Sequence, residues 1–347
     1  MIQPAINKLV RKENLTVEES REAMKLIMSG EVSFAQMAAY LTALRLKGET
    51  KEEILGSAQV MREKVLRVEH HQEKLFDNCG TGGDGAGTFN ISTTCAFVLA
   101  ASGLAVGKHG NRCVSSQCGS ADLLQALGAN ILLGPDQVGR CIDEVGIGFL
   151  YAPLLHPAMK QVAPIRKELG FRTIFNLLGP LTNPAFATHQ LIGVFDSGYA
   201  EKLAWVAQNL GVKKVFIVFN LQNIDELTTA GMNQVSTIHE GQLKTFFLQS
   251  EDFGFHKSRI EELKGGTAEE NARITLNILN GENGPKRDTV ILNAALGLLA
   301  GEQVESIPEG IELAKECIDS GRALKMLKTF IRFTQGLKDA VHLQFSG

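Results

Sequence analysis

The sequence lacks the marks of several protein classes. None of its six cysteines forms a C-x-x-C pair, so we expect free thiols and neither a zinc site nor a disulfide framework. The net charge of −3 gives no basic surface for nucleic acid. The longest apolar runs, near residues 95–106 and 290–300, are too short to span a bilayer. The N-terminus has no signal-peptide pattern, and we therefore expect a soluble, cytoplasmic protein.

What the sequence has instead is a glycine-rich stretch at residues 80–93, GTGGDGAGTFNIST, in which five glycines fall within eight positions. The residues before it have the pattern of a buried strand, and those after it have the pattern of a helix. Such a loop directs backbone N–H groups and the positive end of the helix dipole to one point, which suits a phosphate. Polar side chains at the helix start add donors or caps. These are Asn90, Ser92 and Thr93.

The glycine loop has other possible interpretations. Three of its glycines match the dinucleotide fingerprint G-x-G-x-x-G, but this match is weak by itself. The fingerprint also needs an acidic residue about 20 positions later, and no Asp or Glu stands between Asp84 and Asp122. Residues 103–108 do not have the spacing of a P-loop. A structural turn without a ligand stays open as the alternative to a phosphate site.

Residues 1–68 have the pattern of a small helical unit with four short helices. Three of these helices begin with a capping box, in which Ser or Thr is followed three residues later by Glu or Gln. The capping boxes are Thr16 with Glu19, Ser33 with Gln36 and Thr50 with Glu53. We expect this unit to serve in packing or in a subunit contact.

From residue 75 to about 250, short apolar strands alternate with helices, which predicts a mostly parallel sheet with helices on both faces. The predicted strands are 75–78, 104–107, 130–133, 147–151, 189–195, 214–219, 235–238 and 243–247. The helices predicted between them are 93–102, 120–127, 136–145 and 199–210. Residues 157–184 interrupt the alternation with proline-punctuated helical sequence. The helices predicted after it are 269–280, 286–300, 308–319 and 322–338.

A second polar stretch, KHGNRCVSS at residues 108–116, follows the predicted strand 104–107 and is followed by GSAD at 119–122. Its position after a strand puts it at the same sheet edge as the glycine loop. Two cations, several serines and a predicted helix cap at Ser120 favour a second anion site. The alternative is a solvated loop.

Two further groups are ambiguous when taken alone. Arg166 lies on a predicted helix whose apolar face must be buried, and its guanidinium could hold a carboxylate through two parallel hydrogen bonds. A lone arginine is more often a surface cation, and a lone His156 is more often structural. Asp225 and Glu226 follow a strand, and adjacent acids are usually solvated. In a phosphate site, however, they are suitable ligands for Mg²⁺.

Taken together and in order, these motifs resemble those of the anthranilate phosphoribosyltransferases over essentially the full length. The resemblance implies an α/β fold like that of the nucleoside phosphorylases and phosphoribosyltransferases. Residues 1–70, with part of 157–184, would form the helical domain, and residues 71–347 the α/β domain. It also implies a homodimer joined through the helical domain. The implied reaction transfers phosphoribose from phosphoribosyl pyrophosphate to anthranilate in tryptophan biosynthesis.

The resemblance also implies roles for individual residues. The donor, phosphoribosyl pyrophosphate, would be bound by Gly80, Gly83, Asp84, Thr88, Asn90, Ile91, Ser92, Thr93, Lys108, His109, Gly110, Asn111, Arg112, Cys113, Val114, Ser115, Ser116 and Ser120. Anthranilate would contact Gly80, Asn111 and Arg166. One Mg²⁺ would be bound by Ser92 and Glu226, and a second by Asp225 and Glu226.

The chemistry needs charge stabilisation on the leaving pyrophosphate, which Lys108 and the backbone donors of the glycine loop can supply. We assign no general base, because an aromatic amine is already neutral near pH 7. His109 and His156 are expected only in the wall of the site. Asp84 could contact the ribose hydroxyls or a metal-bound water.

Three rival functions remain. A nucleoside phosphorylase of related architecture would use free phosphate and a pyrimidine nucleoside. An inactive relative that binds nucleic acid would need a basic face and a degraded glycine loop. A dehydrogenase is the weakest rival, because the acidic residue for the ribose is missing.

Overall fold

The N-terminal part is a bundle of helices whose starts are fixed by side chains. The computed structural model describes residues 1–113, 117–239 and 241–337. The three predicted capping boxes are all present, so Thr16, Ser33 and Thr50 each accept a hydrogen bond from the backbone N–H three residues later. The helices are α1 (Gln3–Val10), α2 (Val17–Met28), α3 (Phe34–Lys47) and α4 (Lys51–Lys64).

The rest of the described chain is built on one seven-stranded sheet in the order β3-β2-β1-β4-β5-β6-β7. The first five strands pair in parallel, and β6 and β7 add an antiparallel edge. The predicted fold class, a small helical domain with a mostly parallel α/β domain, is confirmed. The strands are β1 (Phe76–Asp77), β2 (Val106–Gly110), β3 (Ile147–Tyr151), β4 (His189–Gly193), β5 (Lys214–Asn220), β6 (Asn233–His239) and β7 (Gln242–Leu248).

Helices cover both faces of the sheet, as predicted. α5, α13, α14 and α15 share one hydrophobic core with one face, whereas α11 and α7 pack on the other. The helices are α5 (Ile91–Ala101), α6 (Ser120–Ala126), α7 (Pro135–Val145), α8 (Ala152–Leu155), α9 (Ala163–Leu169), α10 (Ile174–Leu178), α11 (Ala200–Asn209), α12 (Ala268–Leu279), α13 (Pro285–Ala300), α14 (Ile307–Asp319) and α15 (Arg322–Gly336). Among the described residues, no helix has both the length and the apolar composition needed to cross a membrane.

The predicted strand at 130–133 is wrong. Ile131 and Leu133 are buried, but in two different hydrophobic clusters, and the segment pairs with no strand that the structure describes. Its backbone donors are bonded to side chains instead: the N–H of Asn130 to Thr334 Oγ1 and that of Leu132 to Asn130 Oδ1. Alternating burial therefore arose here without a strand.

Residues 157–184 contribute apolar side chains to the hydrophobic cluster that also holds the N-terminal helices. This cluster contains Val162, Ile165, Phe175 and Leu178 together with Tyr40 and Leu44. The division into residues 1–70, with part of 157–184, and residues 71–347 stays a prediction, which this packing supports.

The strand order places the functional loops. β1 pairs with β2 on one side and with β4 on the other, all in parallel. The chain therefore changes direction across the sheet between β1 and β4, and ligands of such sheets bind outside the carboxyl ends of the strands at this point. The segments that follow β1, β2, β4 and β5 meet at that edge.

Candidate active site

The glycine loop after β1 has a backbone that glycine alone adopts readily. Gly82, Gly83, Gly85 and Gly87 all have φ between 65° and 75°, a region in which a side chain clashes with its own backbone. The loop is tied to the neighbouring strand, because the Thr81 N–H donates to the carbonyl of Gly193 over 2.8 Å. The glycine pattern is thus required by the shape of the loop.

The segment after β5 packs closely on this loop. A Cβ on Gly193 would overlap the backbone carbonyl of Asp225, so glycine at the end of β4 lets the two segments approach. Asp225 Oδ2 then accepts a hydrogen bond from the Gly82 N–H over 2.6 Å. The Asp225 N–H donates to Asp84 Oδ2 over 3.4 Å. The acidic pair predicted for metal binding therefore lies against the glycine loop.

Three carboxyl groups meet at this place: Asp84, Asp225 and Glu226. Asp225 and Glu226 remain partly accessible to solvent, but the protein around them has displaced most of their water. The pKa of Asp225 is raised well above its usual range. The loss of water is the larger cause, and the charges of the nearby carboxylates are the smaller one. Loss of water also raises the pKa of Glu226 to about 7, although Lys108 opposes the shift. The cluster has an excess of negative charge that a cation would neutralise.

The N-terminus of α5 faces the same cluster. The Ser92 N–H donates to Glu226 Oε1 over 3.2 Å. Asn90 lies at the N-cap position, but its amide donates to the carbonyl of Cys118 over 3.2 Å and makes no capping hydrogen bond. The buried side-chain oxygens of Asn78 and Asn90 have no hydrogen-bond partner among the described residues, and such orphaned groups point to a ligand or water. Ile91 and Thr93 are buried behind them in the first turn of α5.

The second predicted site begins inside a strand. Lys108, His109 and Gly110 belong to β2, which continues beyond the predicted end at residue 107 because it pairs with β3 as far as Tyr151. The Lys108 ammonium is buried and donates to the carbonyls of Asn78 and His109 over 3.2 and 3.3 Å. Its charge therefore lies beside the start of the glycine loop.

Behind Lys108 lies a carboxylate that the sequence analysis did not single out, Asp77 at the end of β1. It is fully buried, accepts from the His109 N–H over 3.1 Å and accepts from the Asn183 amide over 2.8 Å. Burial raises its pKa to about 6, against the effects of Lys108 and these hydrogen bonds. Asn183 also donates to the carbonyl of Gly107 over 2.8 Å. Asp77 and Asn183 thus fix β2 against β1 under the site.

Two buried histidines form a hydrogen-bonded pair. His109 Nδ1 lies 3.1 Å from the carbonyl oxygen of Gly179, and the Nε2 atoms of His109 and His156 are 3.1 Å apart. Burial lowers the pKa of His156 to about 4 and that of His109 well below its usual value, so both rings are neutral near pH 7. A carbonyl only accepts, so His109 carries its proton on Nδ1 and accepts at Nε2 from His156.

Three residues of types that commonly bind metal ions lie close together, and they include His109 of this pair. Asp77, Cys79 and His109 each offer one ligand atom, and these atoms lie within 4.8 Å of one another. Both oxygens of Asp77 and the Nδ1 of His109 are already used in the internal hydrogen bonds described above. These bonds argue for a structural role of this set.

In the described part of the loop after β2, Arg112 and Asp122 bond to groups of the same segment and of its neighbours. The Arg112 guanidinium donates to Asp122 Oδ1 over 2.7 Å, to Gln125 and to the hydroxyl of Tyr151. The other oxygen of Asp122 accepts from the N–H groups of Cys113 and Gly119 over 3.0 and 2.9 Å. Val114, Ser115 and Ser116, which were predicted to bind the donor, lie outside the described residues.

Ser120 was predicted to cap α6, and this is wrong. Gly119 takes the N-cap position and Ser120 is the first residue of the helix. The Ser120 hydroxyl is 3.2 Å from both the N–H and the carbonyl of Asn111. Asp122 accepts from the Gly119 N–H and so places the cap at Gly119, and the serine hydroxyl is left to fix the turn at Asn111.

The two predicted loops meet at one edge of the sheet. Asn90 at the end of the first is bonded to Cys118 at the end of the second, and Lys108 is bonded to Asn78 at the start of the first. Thr88 forms an isolated bridge with Lys264 on the outer side of the glycine loop.

Arg166 lies apart from this bonded network. It is half-buried on α9, its guanidinium centre lies 5.6 Å from the ring centroid of Phe175, and it has no ion pair or hydrogen bond with a described residue. Burial lowers its pKa. An unpaired, partly buried guanidinium is suited to binding an anion.

The sequence analysis missed Asp77 and Asn183, and it also missed Arg172, whose guanidinium lies against Gly83 of the glycine loop. Asp77 comes at the end of an apolar run, where nothing in the sequence distinguishes it from a strand-terminal polar residue. Asn183 falls in the stretch NLLGPLTNP at residues 176–184, so this stretch was the available signal. Arg172 comes six residues after Arg166, but nothing in its spacing indicated a contact with the glycine loop.

Comparison with known proteins agrees with this arrangement. Residues 3–65 match the helical bundle domain of a glycosyl transferase family, and residues 72–324 match the a/b domain of such a family. The anthranilate phosphoribosyltransferase of Symbiobacterium thermophilum is 52% identical over 96% of this chain and 98% of that protein.

Solved structures give the same result. The anthranilate phosphoribosyltransferase from Thermus thermophilus has a TM-score of 0.90 at 43% identity, covering 95% of this chain and 99% of that one. The enzyme from Saccharomyces cerevisiae, in complex with PRPP and Mg, has a TM-score of 0.89 at 29% identity and covers 97% of this chain and 98% of that one. The chain therefore belongs to the anthranilate phosphoribosyltransferase family of glycosyl transferases.

Proposed function

We infer that this chain transfers the phosphoribosyl group of phosphoribosyl pyrophosphate to the amine of anthranilate, with release of pyrophosphate. The product is N-(5-phosphoribosyl)anthranilate, an intermediate of tryptophan biosynthesis. The observation that carries this function is the meeting of the glycine loop, the N-terminus of α5 and three carboxyl groups at one edge of the sheet. This arrangement combines donors for phosphate oxygens with ligands for a divalent cation.

The donor is proposed to bind along the two loops. Backbone N–H groups of Gly80 and Gly83 and the first turn of α5 would contact the phosphates, and Lys108 would stabilise the charge that develops on the leaving pyrophosphate. Arg112 would support the shape of the second loop around the donor, because its guanidinium is bonded to Asp122 and Gln125. Asn111, at the exposed turn, is available to both substrates.

Magnesium fits the acidic cluster. Asp225 and Glu226 are partly accessible, and their carboxylates offer the hard oxygen ligands that Mg²⁺ prefers. Their pKa values are raised, and a bound cation would lower them again. We propose two ions, one held by Ser92 and Glu226 and the other by Asp225 and Glu226. Bound Mg²⁺ supplies positive charge to the pyrophosphate and so makes it a better leaving group.

Anthranilate is proposed to bind between the two parts of the protein. Arg166 would hold its carboxylate by two parallel hydrogen bonds, and Gly80 and Asn111 would border the amine. Because that amine is neutral near pH 7, we assign no general base. Catalysis then consists mainly of positioning the amine near C1 of the ribose and stabilising the leaving group.

The helical part is proposed to join two copies of the chain. Val10, Phe34 and Leu46 on α1 and α3 are 69%, 55% and 80% exposed, and apolar side chains of this kind support a contact surface. Analytical ultracentrifugation would test the dimer. We also propose a cytoplasmic location, which the six free cysteines support because they suit a reducing compartment.

A fluorescence assay of anthranilate consumption tests the reaction. We expect loss of the anthranilate signal with phosphoribosyl pyrophosphate and Mg²⁺ together, and none when either is left out. A parallel assay with thymidine and phosphate tests the nucleoside phosphorylase alternative. Turnover of thymidine without turnover of anthranilate would overturn the proposed function.

A further inference from the structure

Arg172 is a half-buried cation without a charged partner in the described part of the chain. It lies on the turn between α9 and α10, and its guanidinium centre is 4.1 Å from the ring centroid of Phe195. It makes no ion pair or hydrogen bond with any residue that the structure describes. A guanidinium stacked on an aromatic ring keeps its N–H groups free at the edge, so Arg172 retains its capacity to attract an anion.

The Arg172 side chain lies directly against the glycine loop. A Cβ built on Gly83 would stand 3.3 Å from Arg172 Nε and 3.8 Å from one of its terminal nitrogens. The ring on which Arg172 stacks is attached to the same loop, since the Phe195 N–H donates to Thr81 Oγ1 over 3.2 Å. Arg172 therefore contacts the loop directly at Gly83 and indirectly through Phe195 at Thr81.

The segment that carries Arg172 also carries Arg166, the residue proposed to bind the carboxylate of anthranilate. Arg166 lies on α9, which ends at Gly170 in a left-handed cap with φ of 65°. This short turn leads directly to Arg172. The two arginines are thus joined by one short segment, and this segment is the physical connection that coupling between the two sites would use.

We propose that Arg172 is a positioning residue that couples the two substrate sites. It holds the glycine loop in its donor-binding shape, and an anion bound in that loop draws the segment of residues 166–172 inward, so that anthranilate binds more tightly. The proposal rests on the proposed function of this site. Coupling of this kind is reciprocal, so each ligand strengthens the binding of the other by the same factor.

Pyrophosphate with Mg²⁺ is a suitable probe, because it occupies the donor side and cannot react with anthranilate. The dissociation constant of anthranilate would be measured by its fluorescence with and without this probe. For the unaltered protein we expect tightening of about tenfold, within the range of typical allosteric coupling. For Arg172→Ala we expect a factor near one and a KM for phosphoribosyl pyrophosphate raised about tenfold.

Three further variants separate coupling from simple loss of structure. Lys167→Ala removes an exposed positive charge from the same segment and should keep the full coupling factor. Arg172→Lys keeps the charge and should restore part of it. Phe195→Leu keeps the guanidinium of Arg172 but removes the aromatic ring on which it stacks, and it should weaken the coupling. This variant replaces Arg172→Ala as the test if Arg172→Ala does not fold.

The outcomes distinguish the two proposals. If the unaltered protein consumes anthranilate normally but shows no coupling, or if Arg172→Ala keeps its coupling factor, the role of Arg172 is overturned while the function stands. If the unaltered protein does not consume anthranilate in the presence of donor and Mg²⁺, the proposed function itself fails.

Discussion

The two loops at the edge of the sheet balance the charges of their described residues differently. In the second loop, Asp122 is partly buried, which by itself would raise its pKa. The N–H groups of Cys113 and Gly119 and the Arg112 guanidinium more than offset this, so its pKa is lowered. At the first loop, Asp225 accepts from the Gly82 N–H and Glu226 from the Ser92 N–H, and Lys108 lies near Glu226. These partners do not offset the loss of water, so both pKa values are raised.

This difference separates structural charge from functional charge. A carboxylate with a lowered pKa is stabilised by the protein as it stands. A group of carboxylates with raised pKa values costs the fold free energy and is retained where a ligand neutralises it. The described part of the second loop therefore balances the charge of Asp122, whereas the cluster at the first loop would be balanced by the cation proposed above. The predictions below test this contrast.

The largest effect is expected from neutralising the acidic pair. Asp225→Asn combined with Glu226→Gln should lower activity by about 100-fold or more, the cost typical of lost charge stabilisation in an active site. The same change should raise the melting temperature of the metal-free protein, because it removes unfavourable buried charge. Thermal melts with and without Mg²⁺ provide the readout. Retention of the Mg²⁺-induced shift in the double variant would remove both residues from the metal site.

Arg166→Ala should act on one substrate only. We expect the KM for anthranilate to rise about 10- to 100-fold, the range for lost hydrogen bonds to a charged group, with little change in the KM for phosphoribosyl pyrophosphate. Steady-state kinetics with each substrate varied in turn measures both constants. Lys167→Ala, an exposed cation on the same helix, is the matched control. Equal effects on both substrates would contradict the assignment of Arg166.

The pH dependence of stability should reveal the unbalanced charge. Glu226 ionises near pH 4.5 in the unfolded chain and near pH 7 in the fold. Between these values the folded state holds more protons, so its contribution to stability falls as pH rises. The two buried histidines have the opposite sign, because their lowered pKa values favour the fold as pH rises towards 6.5.

A comparison of variants isolates the carboxylate from the histidines. Without metal, Glu226→Gln should gain stability over the unaltered protein as pH rises from about 4.5 to about 7. Urea unfolding across this range measures the difference. With saturating Mg²⁺ the difference should shrink or reverse. A constant difference at all pH values would mean that Glu226 is not destabilised in the fold.

The sequence predicted the fold well where one physical signal dominated. Capping boxes placed the starts of α2, α3 and α4, and the glycine loop marked the turn after β1. The sequence could not distinguish the buried, unpaired segment 130–133 from a strand. Apolar alternation does not reveal whether backbone N–H groups are bonded to a neighbouring strand or to side chains. The sequence likewise could not show that Arg112 is bonded internally or that Arg172 lies on Gly83. Such contacts depend on how distant segments pack.

The smallest effect is expected in the second loop, and it is the sharpest test of the contrast. Asp122→Asn keeps the size of the side chain and one oxygen acceptor but removes the charge that pairs with Arg112. We expect the free energy of unfolding to fall by about 1.5–3 kcal/mol, the range for a hydrogen bond to a charged group. Urea unfolding measures this loss.

The contrast between the loops requires that this loss be independent of the metal. If the charge of Asp122 serves only to hold the second loop together, the Mg²⁺ concentration at half-maximal activity should be the same in Asp122→Asn as in the unaltered protein. The thermal shift produced by Mg²⁺ should also be unchanged. A changed Mg²⁺ dependence would show that the second loop contributes to the metal site through its charge. The two loops would then form one electrostatic unit, and the distinction between a self-balanced and a ligand-dependent loop would have to be abandoned.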